Sequence, residues 1–330
     1  MERLLRSEEV RAILTPQGEN EDAWRTELAR FKNHSHTVAR KTVGEGAIKA
    51  IQRMLVFLGY STTTTGAFAI DGDFGRGTNR AVAQFQFDHG MADHIQRKTL
   101  CYPCTFQTAR GQISAIPDIR LTLGTMKRML EVAEESIRDR QILCGNFTEA
   151  LYFLNQLDRG RFLDCRTVWH RYGRLVERAC ANIREERNVI VRPEWILAII
   201  KQETAGIVRP RFEQHILSRL NKNNPHEELV ELRYRAMSQG LGQILGSNYK
   251  QVGASSARAM FQSRLADQVL YVARFLTNEG FIGKIVKKSQ PSDEDYRQIA
   301  KFYNGSGYAK HHYHESLASW FREFLALQLA

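Results

Sequence analysis

Apolar positions recur at helical spacing along most of the chain. Ile48, Ile51, Leu55 and Leu58 make a first stripe that stops at Gly59, and Ala81, Val82 and Phe85 make a second after a glycine-rich turn. Three amphipathic stripes follow on short connections: Met126, Met129, Leu130, Ala133 and Ile137; Phe147, Ala150, Leu151, Leu154 and Leu157; and Val168, Tyr172, Leu175, Val176, Ala179 and Ile183. Near the end come Leu265, Val269, Val272, Ala273 and Leu276, then Tyr296, Ile299, Ala300 and Tyr303 behind a Ser292 to Asp295 cap. Strand alternation is hard to find, so the pattern predicts a mainly α protein. Before the first stripe, Leu4, Leu5, Val10, Ile13 and Leu14 allow a short amphipathic helix, and Pro103, Gly111 and Pro117 mark a linker.

The most informative stretch is residues 193–206, PEWILAIIKQETAG. Ile196, Ile199, Ile200 and Glu203 follow the i, i+3, i+4, i+7 spacing of one helix face, so the carboxylate is expected among apolar neighbours. Pro193 suits the first helical position and Gly206 a stop, which places Glu203 at the negative end of the helix dipole. Desolvation and the dipole both disfavour the ionised form, as a general acid requires. Two later segments supply ligand-facing chemistry. Residues 238–249, SQGLGQILGSNY, and 302–310, FYNGSGYAK, combine glycines that admit a close backbone approach with Gln, Asn and Tyr that hydrogen-bond and stack on sugars.

From about residue 193 to 324 these motifs resemble the N-acetylmuramidase family of the lysozyme superfamily, found in phage endolysins and bacterial wall-degrading effectors. The acid-bearing helix ends in Glu203; Phe212, Glu213 and His215 match a following FExH; residues 240–249 match a GLFQIMGxNY segment; residues 303–310 match YNGxGYAK. Leu241 and Gly242 stand where the family has a bulkier residue before Gln243. The resemblance implies a helical lysozyme-like domain in which Glu203 is the catalytic acid and Gln243, Tyr249, Tyr303, Asn304 and Tyr308 line the cleft. Glu213 is a candidate second carboxylate, or a structural acid paired with His215 or a nearby Arg.

Upstream, Gln52, Leu55, Leu58, Gly59, Tyr60, Asp71, Gly72, Phe74, Gly75, Thr78, Ala81, Val82, Phe85 and Gln86 match the pattern of a small three-helix peptidoglycan-binding domain. Asp71, Phe74, Gly75 and Thr78 carry its glycine-rich turn, with Thr78 placed to cap the next helix. The family's second Asp-Gly turn is altered to Asp93-His94. The string DGDFGRG lacks the acid spacing of an EF-hand and the GKS or GKT of a phosphate loop.

At 330 residues with 43% hydrophobic content the chain can form two or three compact units. The expected division is an extension over 1–44, the peptidoglycan-binding domain over 45–105, a linker over 106–120, a helical bundle or spacer over 121–190, and the muramidase domain over 191–330. The net charge of +11 suits a polyanionic partner. Basic residues interleave with acids, as in RLVERACANIREER, which favours the bacterial envelope over nucleic acid. Five cysteines imply no disulfide framework, although Cys101 and Cys104 have CxxC spacing and could pair after export. Adjacent histidines at 311 and 312, with His314, lack acid or Cys partners, so no metal and no cofactor are expected. No run approaches a membrane span and the first residues lack the apolar core of a secretory signal, so a holin-type release system or a secretion apparatus would have to bring the chain to the wall. An inhibitor (immunity) protein is a further candidate partner.

The reading is a glycosidase that cuts the β-1,4 bond between N-acetylmuramic acid and N-acetylglucosamine. Its rivals are a lytic transglycosylase acting on the same bond and a wall-binding protein without activity.

Overall fold

A computed structural model describes residues 3–30, 36–37, 43–91, 95–101, 105–108, 111–114 and 120–329. Asp93, His94 and Cys104 lie outside these residues. In chain order the first helices are α1 (Glu8–Leu14), α2 (Asp22–Arg30), α3 (Glu45–Phe57), α4 (Arg76–Asp88), α5 (Arg97–Cys101), α6 (Leu123–Arg138), α7 (Phe147–Asp158) and α8 (Cys165–Arg187). Then come α9 (Pro193–Thr204), α10 (Gln214–Asn223), α11 (Leu229–Arg235), α12 (Ala257–Phe261), α13 (Leu265–Leu276), α14 (Gly280–Ile285), α15 (Asp293–Asn304) and α16 (Tyr313–Leu329). Strands are few and short: β1 (His36–Thr37), β2 (Thr105–Thr108), β3 (Gly111–Ser114), β4 (Arg120–Leu121), β5 (Arg211–Phe212), β6 (Met237–Gln239) and β7 (Ile244–Leu245). The protein is mainly α.

Contacts sort the chain into two units, residues 1–161 with 209–238, and residues 162–208 with 239–330. In the first, α3 is the hub, touched by α1, α2, α6 and α7. Val10, Ile13, Leu14 and Trp24 are buried, as are Ile51, Met54 and Leu55 of α3 and Phe153 and Leu154 of α7. One side chain ties these pieces together. Arg53 is fully buried and donates to the Ile13 carbonyl at 2.6 Å, to Asn155 Oδ1 at 2.8 Å and to Asp158 Oδ2 at 2.7 Å. Burial disfavours its charge and the Asp158 carboxylate opposes that penalty. The N-terminal segment, α3 and α7 therefore share one core.

The glycine-rich turn is held from beneath. Gln52 Nε2 donates to Asp71 Oδ1 at 2.7 Å and to the Asp73 carbonyl at 3.0 Å, while its Oε1 accepts the N–H groups of Asp71 and Gly72. Gly75, not Thr78, is the residue that caps α4. Thr78 sits inside the helix, fully buried, with its hydroxyl 3.2 Å from the Asp73 carbonyl. Phe74 is buried beside the turn and the Asp71 side chain is exposed. The stretch read as a linker carries an antiparallel hairpin whose backbone register pairs Phe106 with Ile113, and β1 pairs with β4.

Segment 209–238 returns to this first unit. Phe212 N donates to Gly66 O at 2.8 Å, and Gly66, with φ of 88°, lies so close to Phe212 that a Cβ would overlap its carbonyl. The Arg233 guanidinium bonds Asp88 and stacks 4.3 Å from the Tyr60 ring centroid, and Tyr60 donates to Asp88 at 2.9 Å. Burial and the Asp88 charge push the Tyr60 phenol well up, so it remains a donor.

The second unit contains α8, α9 and α12 to α16. α9 packs on α16 and α8, and α8 packs on α13. The third of the stripes at 121–190 thus joins the unit of the acid-bearing helix, while the first two join the other. Trp195, Tyr296 and Phe321 form an aromatic cluster with centroids 4.7 to 5.8 Å apart. Ser292 and Asp295 form a reciprocal capping box on α15, as their spacing predicts. Burial works to raise the Asp295 carboxyl, but the Lys288 ammonium and the Ser292 N–H and hydroxyl outweigh it and hold the group below its usual 3.8. A depressed carboxylate stabilises the fold above its unfolded pKa and loses that contribution as pH falls. Asp295→Asn is therefore expected to cost about 1 kcal/mol near neutrality, with the difference closing below about pH 4 in paired denaturation curves.

Candidate active site

The local sequence fixes the direction of Glu203. Pro193 opens α9, Ala205 and Gly206 close it with φ of 47° and 76°, and Ile196, Ile199 and Ile200 are fully buried. Glu203 is half-buried at the end of this helix. Its Oε1 accepts a 2.5 Å hydrogen bond from the Tyr313 hydroxyl, and Tyr313 is itself buried at the start of α16. On α16, Tyr313, Leu317, Phe321 and Phe324 form a buried stripe, so packing of α16 onto α9 delivers the phenol to the acid.

The next residue ties the helix to the glycine loop. Thr204, fully buried, has its hydroxyl 3.0 Å from the Ile200 carbonyl and 2.9 Å from that of Leu241. Gln268 of α13 accepts from Leu241 N at 3.2 Å, and Tyr303 of α15 donates to Gly242 O at 2.7 Å. Gly242 has no room for a side chain: a Cβ would overlap Val272 and lie 2.6 Å from the Tyr303 hydroxyl. The small residue at 242 is therefore set by this close approach. Gln243 follows with φ of 48°, a conformation uncommon outside glycine and held here by the loop, and its Nε2 donates to Gly240 O at 3.1 Å.

Burial raises both phenols well above their usual range, and the nearby Glu203 carboxylate raises them further. Both remain protonated and act as donors. Three of the four sequence motifs thus share a unit, with Glu203, the 240–243 loop and Tyr303 together and the Phe212 to His215 motif in the other unit. Of the other cleft candidates, Tyr249 is half-buried in the turn after the loop, Asn304 is exposed at the end of α15, and Tyr308 is half-buried with its ring edge-on to His314 at 5.4 Å. Glu213 belongs to the first unit, where it lies 3.1 Å from Arg211 Nε and 3.8 Å from His215 Nδ1. His312 and His314 lie 3.1 and 3.7 Å from Glu315.

Tyr313, Thr204 and Gln268 do not stand out in the sequence. The apolar spacing of Tyr313, Leu317 and Phe321 was the available signal for the first. Trp320 also escapes notice; its Nε1 donates to Gln202 at 3.0 Å and its ring lies 5.0 Å from Lys201 Nζ.

Comparison with known proteins finds two partial family matches along the chain. Residues 230–325 match the N-acetylmuramidase family model, and residues 44–93 match that of a putative peptidoglycan binding domain. A segment similar to the N-acetylmuramidase family thus follows one similar to a putative peptidoglycan binding domain. The muramidase match contains Gln243, Tyr249, Tyr303, Asn304 and Tyr308 and begins after Glu203 and Glu213. Among solved structures, the crystal structure of a Burkholderia AP3 phage endolysin is similar at 18% identity and a TM-score of 0.36, over 84% of this chain and 95% of that one. A score that low carries no argument. No curated protein matches the chain.

Proposed function

We propose that the protein cuts the β-1,4 bond between N-acetylmuramic acid and N-acetylglucosamine in peptidoglycan, with Glu203 as general acid. The observation that carries this reading is the half-buried carboxylate that accepts from Tyr313 at 2.5 Å beside the 240–243 loop. Because Oε1 already accepts the phenol, the transferable proton resides on Oε2, which protonates the departing glycosidic oxygen as positive charge develops on the sugar. Gln243, Tyr249, Tyr303, Asn304 and Tyr308 line the glycan cleft, and the turn at Asp71, Phe74, Gly75 and Thr78 shapes the wall-binding domain. Release through the membrane or delivery by a secretion apparatus would bring the chain to the wall.

A second reading, lytic transglycosylase action, is favoured by one feature. Glu213, the other carboxylate of the motifs, is engaged by Arg211 and His215, as a structural acid would be. The substrate's acetamido group would then complete the reaction and release an anhydro sugar. Mass spectrometry of products from purified sacculi separates the outcomes: reducing muramic ends support hydrolysis, anhydro ends support the second reading, and no released fragments removes both.

Tyr313→Phe tests the acid's setting. A hydrogen bond donated to a carboxylate favours the charged form, so its loss should move the alkaline limb of the pH–rate profile to higher pH. An unmoved limb would separate Tyr313 from the acid's titration.

A further inference from the structure

One surface of the second unit is unused by the proposed chemistry. On α8 the side chains of Arg166, His170, Arg174 and Arg178 are all exposed and recur at i, i+4, i+8 and i+12. That spacing puts them in a single ridge about 18 Å long, with neighbours roughly 6 Å apart. Arg166, Arg174 and Arg178 make no ion pair or hydrogen bond among the described residues. Some other arginines of this unit are engaged, since Arg187 donates to Thr277, Arg192 binds Glu194 and Arg274 binds Glu186, while Arg184 further along α8 is exposed like the ridge. Between residues 165 and 178 the only acid is Glu177, with Asp164 just outside at the N-cap. Like charges at i, i+4 weaken a helix, so the Arg174 and Arg178 pair carries a cost that an external anion would offset, while Arg166 at the other end feels the Asp164 carboxylate.

The opposite face of α8 explains where the ridge points. Val168, Tyr172, Val176, Ala179 and Ile183 are buried, and α8 packs on α9. The ridge therefore faces outward one helix packing distance, about 8–10 Å between axes, from the helix that bears Glu203.

We infer that this ridge is a second contact with the wall, binding the carboxylates of peptidoglycan stem peptides close to the cutting unit. The inference rests on the peptidoglycan reading. A guanidinium fork matches a carboxylate in two parallel hydrogen bonds, and a row of forks suits a polymer that presents carboxylates repeatedly. A lipid surface fits less well, because interfacial helices need an apolar face beside the charges. The exposed large apolar residues among those described, Met91, Phe162, Ile190 and Phe281, all lie off α8.

The test is cosedimentation of the full chain with purified sacculi, comparing wild type with the triple variant Arg166→Gln, Arg174→Gln, Arg178→Gln. At low ionic strength the variant should bind about tenfold more weakly, from roughly twofold for each exposed pair, and the gap should close near 1 M salt. Wild type should lose the same affinity on sacculi whose carboxylates have been amidated. Equal binding of wild type to native and amidated sacculi overturns the inference even if the variant does not fold. So does a gap between the two proteins that persists on amidated sacculi, which would assign the ridge to a different polyanion. Failure of wild type to bind sacculi at any salt removes the peptidoglycan reading itself, whereas salt-insensitive binding shared by both proteins removes only the ridge.

Discussion

Glu203→Gln should lower the rate of sacculus clearing by 10² to 10⁴, a loss of roughly 3 to 5.5 kcal/mol in transition-state stabilisation. Glutamine keeps the shape and can still accept from the Tyr313 hydroxyl, which bonds Oε1 in the wild type. It has no acidic proton to hand to a leaving oxygen. Sacculus binding should stay at the wild-type level, because the substitution touches neither the segment at 44–93 that matches a putative peptidoglycan binding domain nor the exposed arginines of α8. Turbidity loss measured beside cosedimentation checks both halves. A variant that clears sacculi as fast as wild type ends the assignment of Glu203, and a wild type that binds without clearing favours the inactive wall-binder.

The largest expected effect on stability is at Arg53. Arg53→Met keeps much of the apolar stem and removes a guanidinium that serves the Ile13 carbonyl, Asn155 and Asp158 together. The Asp158 side chain is only 9% exposed, so its charge would be left nearly enclosed without its hydrogen-bonded guanidinium and with only the more distant Lys49 ammonium to oppose it. Breaking a buried pair from one side costs about 3–5 kcal/mol. Denaturant unfolding of the variant should show that loss in the transition of the first unit, whereas a change below 1 kcal/mol would mean that Asp158 rehydrates freely. Asp158→Asn with Arg53 retained should cost less, since the amide oxygen still accepts.

The readable parts of the sequence were those set by local rules. The span of α9, its proline start and glycine stop, and the α15 capping box all follow from residues within one or two turns of each other. The meeting of Glu203, the glycine loop and Tyr303 was legible from the family pattern, since each motif carries its own residue types. What was not legible depends on contacts between distant residues. Tyr313 is 110 positions from Glu203, and nothing in the spacing of α16 says which helix its stripe will cover. Arg53 reads as a charged residue on an amphipathic helix until the carbonyl at Ile13 and the acid at Asp158 fold over it. The basic ridge was hidden for a related reason: in one dimension its arginines alternate with Glu177 and apolar residues, and only the helix turn sorts them onto one side.

The return of residues 209–238 to the first unit bears on how such proteins can be recombined. An exchange at residue 190 or 191 would deprive α9 of α8 and leave the Phe212 segment without Gly66, so a graft bounded there should arrive with two raw faces. Lineages that shuffle wall-binding modules ahead of a muramidase would have to trade the whole of residues 1–161 and refit this inserted segment to each newcomer.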